Sequence, residues 1–361
     1  MIASSQEQDI AIVGGGPAGA ICALLLARAG ARVALVHWSG YAPGGIELVS
    51  GRARHLIEQH APNFFQTAVP GIEINETISL WDTPQPVTFN AIFNPWGAGV
   101  AVERPWLDRA LRVLACSAGV AEVADGKVVA VERQDNQWRL IVRSGAASWT
   151  ETTSDKTESD MYSRFLVLAT GRVGAPFLNR APVSEPSRIA LTTSLQAHGV
   201  PGHALYIEAA SNGWWYALPA VDGGYFAGFC IAREELRRRQ GRLKEFFFRE
   251  LESTRLLSSL KMDMMSPQPI SGRTADASQF ANAAGDGWIA MGDAAYAPDP
   301  LSGMGIELAI ESAQLGARAL LDALQRTTER SAFDVLRGYE DVIRRRANLH
   351  EKAGVSHYAR L

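Results

Sequence analysis

Ile10-Ala11-Ile12-Val13-Gly14-Gly15-Gly16-Pro17-Ala18-Gly19 is the stretch that decides the fold. Its first four residues are a short apolar run, the composition of a buried strand. A glycine turn follows directly. Ala18 to Ala29 then has helix-forming composition, with Gly30 where a helix is expected to end. Arg32 to Trp38 reads as a second buried strand, so the chain opens with a βαβ unit. Within it Gly14, Gly16 and Gly19 satisfy G-x-G-x-x-G in the strand-to-helix context that gives the pattern meaning. The first glycine allows the tight turn, the second lets the backbone approach a pyrophosphate, and the third lets the helix pack closely on the strand. The helix opening at Pro17 and Ala18 would meet phosphate oxygens with free N–H groups at its positive end.

The second strand departs from the usual pattern. An acidic residue about 20 positions on normally accepts the ribose hydroxyls, but here the strand ends Leu35-Val36-His37-Trp38. Neutral His37 can accept one such bond through a ring nitrogen. Equally, it can be a strand-end histidine facing solvent.

Composition narrows the remaining choices. The 361 residues are 47% hydrophobic, enough for a sizeable core and for roughly two domains of about 150 residues. A formal net charge of −3 arises from 35 basic and 38 acidic residues without a long basic block, so no nucleic-acid partner is expected. Cys22, Cys116 and Cys230 stand far apart, outside any disulfide or metal-ligand spacing. The most apolar stretch, Ile10 to Val36, is broken by glycines, Pro17, Arg28 and Arg32. No membrane span and no targeting extension is therefore read, and a cytoplasmic location is expected.

Further along, Thr88 to Phe93 is strand-like, and Arg104 to Ser117 reads as a helix with Leu107, Leu111 and Leu114 on one face. Strands are expected at Val120–Val123, Val128–Glu132 and Trp138–Val142, joined by Asp125-Gly126 and Asp135-Asn136 turns. Gly145 to Ser163, rich in Ser, Thr, Asp and Glu, reads as a hairpin or exposed loop without chemistry. Arg164–Ala169, Leu205–Glu208, Tyr225–Ile231 and Trp288–Met291 are strand candidates. Helices are expected at Glu234–Glu252, Ile306–Gln325 and Phe333–Arg346.

A second motif runs Gly292-Asp293-Ala294-Ala295 and continues as Asp299-Pro300-Leu301-Ser302-Gly303-Met304-Gly305-Ile306. An acidic residue after a buried strand suits sugar or ribityl hydroxyls, and the glycine turn exposes the N–H groups of the following helix. Together with the first turn and Ala169-Thr170-Gly171-Arg172, this segment resembles the FAD-dependent superfamily of p-hydroxybenzoate hydroxylase-like monooxygenases, geranylgeranyl reductases and flavin-dependent halogenases. The likeness covers nearly the whole chain in the same order.

That resemblance implies an α/β fold: a Rossmann-like FAD-binding domain from residues 1–71, 101–180 and 266–361. A mainly antiparallel β-sheet substrate domain is inserted as residues 72–100 and 181–265. It implies that Asp293 holds the ribityl chain, that Pro300, Ser302, Gly303, Met304 and Gly305 lie beside the isoalloxazine ring, and that Thr170, Gly171 and Arg104 lie close to the cofactor. Trp214 and Tyr216, in Gly213-Trp214-Trp215-Tyr216-Ala217-Leu218-Pro219, resemble the family's aromatic motif over the flavin. As residues alone they read equally as core packing. Arg52 and Arg54 fall near the flavin entrance or on a surface helix, and Met262, Met264 and Met265 line a pocket or fill a core.

The activity implied is a flavoprotein monooxygenase acting on an aromatic small molecule, an indole or phenol, or on a tryptophan side chain of a partner protein. The alternatives are a geranylgeranyl reductase-like double-bond reductase, a halogenase, and a flavin-binding assembly protein without turnover. None of the five lysines stands in a motif that resembles the halogenases' halide-carrying lysine. The electron donor is left open between NAD(P)H and a separate flavin reductase, and no acid or base catalyst is assigned.

Overall fold

Near-continuous hydrophobic sequence suits a strand covered on both faces, and Gln8–Val13 is the central strand of a parallel sheet. In this computed structural model, which describes residues 7–38, 44–144, 157–180, 187–238, 242–263 and 269–358, that strand lies between Val33–Val36 and Thr157–Leu168. Ala121–Val123 and Trp288–Ala290 extend the parallel sheet outward. Helix Pro17–Arg28 packs on helix Gly305–Leu324, and Ile10, Ile12, Leu24, Leu35, Leu166 and Ile310 are fully buried in the shared core. A meander of Gly126–Gln134 and Gln137–Ser144 joins the sheet antiparallel through Thr157–Leu168.

A second sheet has seven strands in the order Ser271–Thr274, Arg188–Gln196, Gly224–Ala232, Gly213–Pro219, Ala204–Ala210, Glu76–Leu80 and Val87–Asn90. All its neighbours are antiparallel except Ala204–Ala210 with Glu76–Leu80. One face buries Trp215 and Phe229 against Phe247 of helix Leu243–Glu252. A small sheet of Ile46–Val49, Gly99–Glu103 and Gly71–Ile74 packs on its other side through Ile46, Ile74, Ala101, Leu218 and Phe226. The fold is the expected one, a Rossmann-like parallel core with a mainly antiparallel sheet.

Several elements differ from the sequence reading. Of Gly145–Ser163, read as a hairpin or exposed loop, Thr157–Ser163 takes the hairpin form: it pairs antiparallel with Gln137–Ser144 and is the first half of the long strand Thr157–Leu168, while residues 145–156 lie outside the described ones. Cross-strand ion pairs of Arg143 with Glu158 at 2.7 Å and Arg139 with Asp160 at 2.8 Å support so polar a strand. Thr88–Phe93 keeps strand form only to Asn90, whose side chain accepts from the Ile92 N–H at 2.9 Å and turns the chain into a short 3₁₀ helix. Glu234–Glu252 is two helices, Arg233–Arg237 and Leu243–Glu252, and residues 239–241 between them lie outside the described ones. Helix Glu329–Tyr358 is much longer than the expected Phe333–Arg346. Among the described residues no helix is long and apolar enough to cross a membrane.

Candidate functional site

The glycines of the first turn divide by what surrounds them. Gly14 has φ +117°, and a Cβ there would lie 2.1 Å from the Ala169 carbonyl oxygen. A Cβ at Gly19 would lie 1.9 Å from the Gly14 oxygen. Both positions must be glycine for strand and helix to pack at all. Gly16 is different: its φ is an ordinary −79°, and the nearest atom to an added Cβ is an Arg104 nitrogen at 3.5 Å. The fold does not require Gly16. Helix Pro17–Arg28 starts there with no side-chain cap on its first N–H groups.

Gly16, Pro17 and Ala18 open into a cavity of ≈ 340 Å³ between the parallel sheet and the seven-stranded sheet. From the parallel-sheet side it is lined by Gly171, Asp293, Pro300, Gly303 and Gly305. The helix Gly305–Leu324 begins at this wall, again without a side-chain cap. From the other side come Leu205, Ile207, Trp214, Tyr216, Leu218 and Cys230. The cavity is thus polar and glycine-rich on one side, apolar and aromatic on the other.

Its charges are paired. Arg104 donates from Nε to Asp108 at 2.8 Å and from a terminal nitrogen to Glu47 at 2.9 Å. Burial opposes the charge on this guanidinium, but the two carboxylates outweigh it and raise its pKa. Asp293 stands 3.2 Å from Arg172 Nε. Burial pushes the Asp293 carboxyl above the usual range, against the pull of Arg172 and Arg104. Desolvation also pushes the Tyr216 phenol up, so it meets the cavity as a neutral group.

Strand pleat makes the aromatic wall. Trp214 and Tyr216 share one face of Gly213–Pro219, their ring centroids 5.8 Å apart, whereas Trp215 points away and stacks on Phe229 at 4.3 Å. Gly228 lies opposite Tyr216 in the antiparallel register, and a Cβ there would come within 2.2 Å of the Tyr216 ring. The phenol ring lies where the Gly228 side chain is missing.

Of the residues singled out from sequence, Gly16, Pro17, Ala18, Arg104, Gly171, Trp214, Tyr216, Asp293, Pro300, Gly303 and Gly305 line this one cavity. Gly14 and Gly19 shape the turn behind it. Thr170 adjoins it with a buried Oγ1 that has no hydrogen-bond partner, while Ser302 caps the next turn by accepting from the Met304 N–H at 3.3 Å. His37 is outside the cavity, its Nε2 2.8 Å from Glu122. Arg52 is ion-paired with Glu307 and Glu311, and Arg54 with Glu58 and Glu73. Met262 is in the core on the far face of the seven-stranded sheet, and Met264 and Met265 lie outside the described residues.

Glu47, Arg172 and Gly228 were not assigned from sequence. Arg172 stands inside the quoted string Ala169-Thr170-Gly171-Arg172 and Glu47 in no quoted motif, and the pairing of both depends on tertiary approach. Gly228 carries no motif signal, because its role exists only in the register. The open space over Gly16, the unpartnered Thr170 hydroxyl and the uncapped helix ends suit a phosphate-bearing, hydroxyl-bearing cofactor such as FAD.

Comparison with known proteins agrees. Residues 7–40 match the FAD binding domain family. The FAD-dependent oxidoreductase LodB of Marinomonas mediterranea is 23% identical, the match covering 93% of this chain and 90% of that protein. Digeranylgeranylglycerophospholipid reductase 2 of Methanopyrus kandleri is also 23% identical, over 93% of this chain and 82% of the reductase. Among solved structures, the flavin-dependent halogenase CmlS superposes with a TM-score of 0.82 at 22% identity, covering 98% of this chain but only 64% of the halogenase. The peptidyl tryptophan dihydroxylase QhpG superposes with a TM-score of 0.77 at 24% identity, covering 98% and 76%. The chain is an FAD-dependent oxidoreductase. Its fold is the one shared by the halogenases, the geranylgeranyl reductase-like proteins and QhpG.

Proposed function

We propose that the protein is a flavoprotein monooxygenase that oxygenates an indole or phenol, either a small molecule or the tryptophan side chain of a partner protein. The observation that carries this reading is the two-faced cavity, with Trp214 and Tyr216 facing a glycine-rich wall across ≈ 340 Å³. That volume is at the low end for ligand sites, and an isoalloxazine ring would share it. The face left to a substrate, Leu205, Ile207, Trp214, Tyr216 and Leu218, is apolar and aromatic and suits a flat ring system. None of the described residues lining it is a lysine, which counts against a halide carrier. QhpG, by its name, acts on a peptidyl tryptophan.

In this reading Gly16 and the N–H groups of the first helix would hold the pyrophosphate, Asp293 the ribityl hydroxyls, and the turn Pro300–Gly305 the flavin ring. The substrate part is residues 72–100 and 181–265, with Ser271–Thr274 added as the edge strand of its sheet. Bound FAD supplies the chemistry: two electrons pass to O₂, one oxygen atom enters the substrate and the other leaves as water. The chain's own contribution is placement and electrostatics. The N-terminal end of helix Gly305–Leu324 favours negative charge on the reduced ring. Trp214 and neutral Tyr216 orient a flat acceptor and exclude water. NAD(P)H or a separate flavin reductase supplies the electrons.

The test supplies chemically reduced protein with oxygen, bromide and a panel of free and peptide-bound indoles and phenols, and reads products by mass. A gain of one oxygen atom is expected. A gain of bromine, or, in a parallel anaerobic incubation of the reduced protein with an unsaturated isoprenoid, loss of a double bond, overturns the proposal in favour of halogenation or reduction.

A further inference from the structure

We infer that the carboxylate missing from the end of the second strand acts through space: Glu122, on the neighbouring strand, holds the His37 ring so that its Nδ1 accepts a hydrogen bond from an adenosine ribose hydroxyl of FAD. The inference rests on the FAD assignment and adds a positioning residue to it.

The backbone fixes the pair. Ala121–Val123 runs parallel to Val33–Val36 with Glu122 opposite Leu35, and His37, two residues beyond Leu35, falls on the same face. The His37 N–H donates to the Val123 carbonyl at 3.1 Å, and the Gly126 N–H donates to the His37 carbonyl at 3.0 Å, so the strand end is held from both directions. The ring is fixed as well. A Cβ on Gly15 would come within 2.8 Å of His37 Cβ and 3.0 Å of Cγ, which places the imidazole against the glycine turn itself. Its Nε2 is 2.8 Å from a Glu122 oxygen.

The tautomer follows from the partner. Glu122 also stands 3.4 Å from Arg112 Nε, and Arg112 donates to the Gly15 carbonyl at 3.1 Å. A carboxylate paired with a guanidinium only accepts, so the imidazole nitrogen facing it carries the hydrogen. In a neutral ring Nδ1 is then the acceptor, the role a strand-end carboxylate ordinarily fills.

This substitute depends on pH where a carboxylate would not. Arg112, Glu122 and Asp125 are the charged groups that act on His37. Burial, and then Arg112, lower its pKa, and Glu122 and Asp125 oppose them without restoring the usual value. Protonation places a hydrogen on Nδ1 and removes the acceptor. FAD affinity is therefore full above the His37 titration and falls as pH drops through it. Because Glu122 favours the charged ring, neutralising it moves that fall to lower pH.

The experiment titrates deflavinated protein with FAD and with FMN, which lacks the adenosine, from roughly pH 8 to pH 5. His37→Ala is expected to weaken FAD about tenfold at the alkaline end, the worth of one well-placed hydrogen bond, and to leave FMN unchanged. Its residual FAD binding should lose the acid dependence. Glu122→Gln should shift the acid fall to lower pH, and the double variant His37→Glu with Glu122→Gln should recover affinity without it. Equal losses of FAD and FMN in His37→Ala would assign the pair a structural role and overturn the inference, as would a flat wild-type profile for FAD. If the wild-type protein bound neither flavin, the FAD assignment itself would fall first.

Discussion

The two walls of the cavity are built on opposite rules. On the parallel-sheet wall Gly16, Gly171, Gly303 and Gly305 leave backbone open to the cavity, and Gly14 and Gly19 behind it matter for the side chains they lack. On the antiparallel wall the surface is side chain, and Trp214, Tyr216 and Leu218 are placed by pleat and register. Each turn of the first wall is fixed by residues adjacent in sequence. The second is fixed by residues on different strands, such as Gly228 beneath Tyr216 and Phe229 against Trp215. A short motif can encode the first kind of surface and cannot encode the second.

The sharpest way to break this comparison lies within the glycine wall itself. Gly19→Val drives a side chain into the Gly14 backbone, which cannot move without separating helix from strand, so a loss of several kcal/mol and little folded protein are expected by circular dichroism. Gly16→Val meets only the flexible Arg104 side chain, so the protein should melt near the wild-type temperature yet purify without flavin. Should Gly16→Val remain yellow, the pyrophosphate does not lie on this turn.

Next in size is Trp215, fully buried in the stack with Phe229 on the face away from the cavity. Trp215→Ala should cost roughly 3–5 kcal/mol of stability by thermal or denaturant unfolding. It should leave the substrate preference of the surviving folded fraction unchanged. A changed preference would show that the sheet does not separate packing from recognition.

Gly228→Ala tests the register directly. An added methyl at 2.2 Å from the Tyr216 ring forces that ring toward the cavity, since the strand beneath is held by pairing on both sides. Flavin content should stay normal while kcat/KM for an aromatic acceptor falls by about tenfold or more, one misplaced ring being enough to disturb a bound geometry. Equal loss of flavin would mean that the two walls are not separable.

What sequence made legible follows the same division. The βαβ opening, helix Arg104–Ser117, the aspartate turn at Asp293 and the cavity placement of Gly16, Asp293 and Gly303 all rest on local patterns. The strand Thr157–Leu168 was read short because its polar half is stabilised by arginines on another strand, which composition cannot show. Glu47 and Arg172 reach the cavity through ion pairs whose partners lie 57 and 121 positions away in the numbering, Glu47 to Arg104 and Arg172 to Asp293. Those distances in sequence carry no periodic signal.

The smallest expected effect concerns Trp214. Trp214→Phe keeps an aromatic ring and most of the buried volume, so stability should change by less than about 1.5 kcal/mol. The indole face offered to a flat acceptor becomes smaller, and stacking of this kind is worth roughly 0.5–1.5 kcal/mol beyond burial. That corresponds to a two- to tenfold fall in kcat/KM, at about 1.4 kcal/mol per factor of ten. The fall should be larger for an indole than for a phenol, because the larger ring loses more overlap. Trp215→Phe, on the opposite face of the same strand, is the matched control and should leave both substrates alike. If the two variants give the same ratio of indole to phenol turnover as wild type, Trp214 packs the sheet and does not read the substrate.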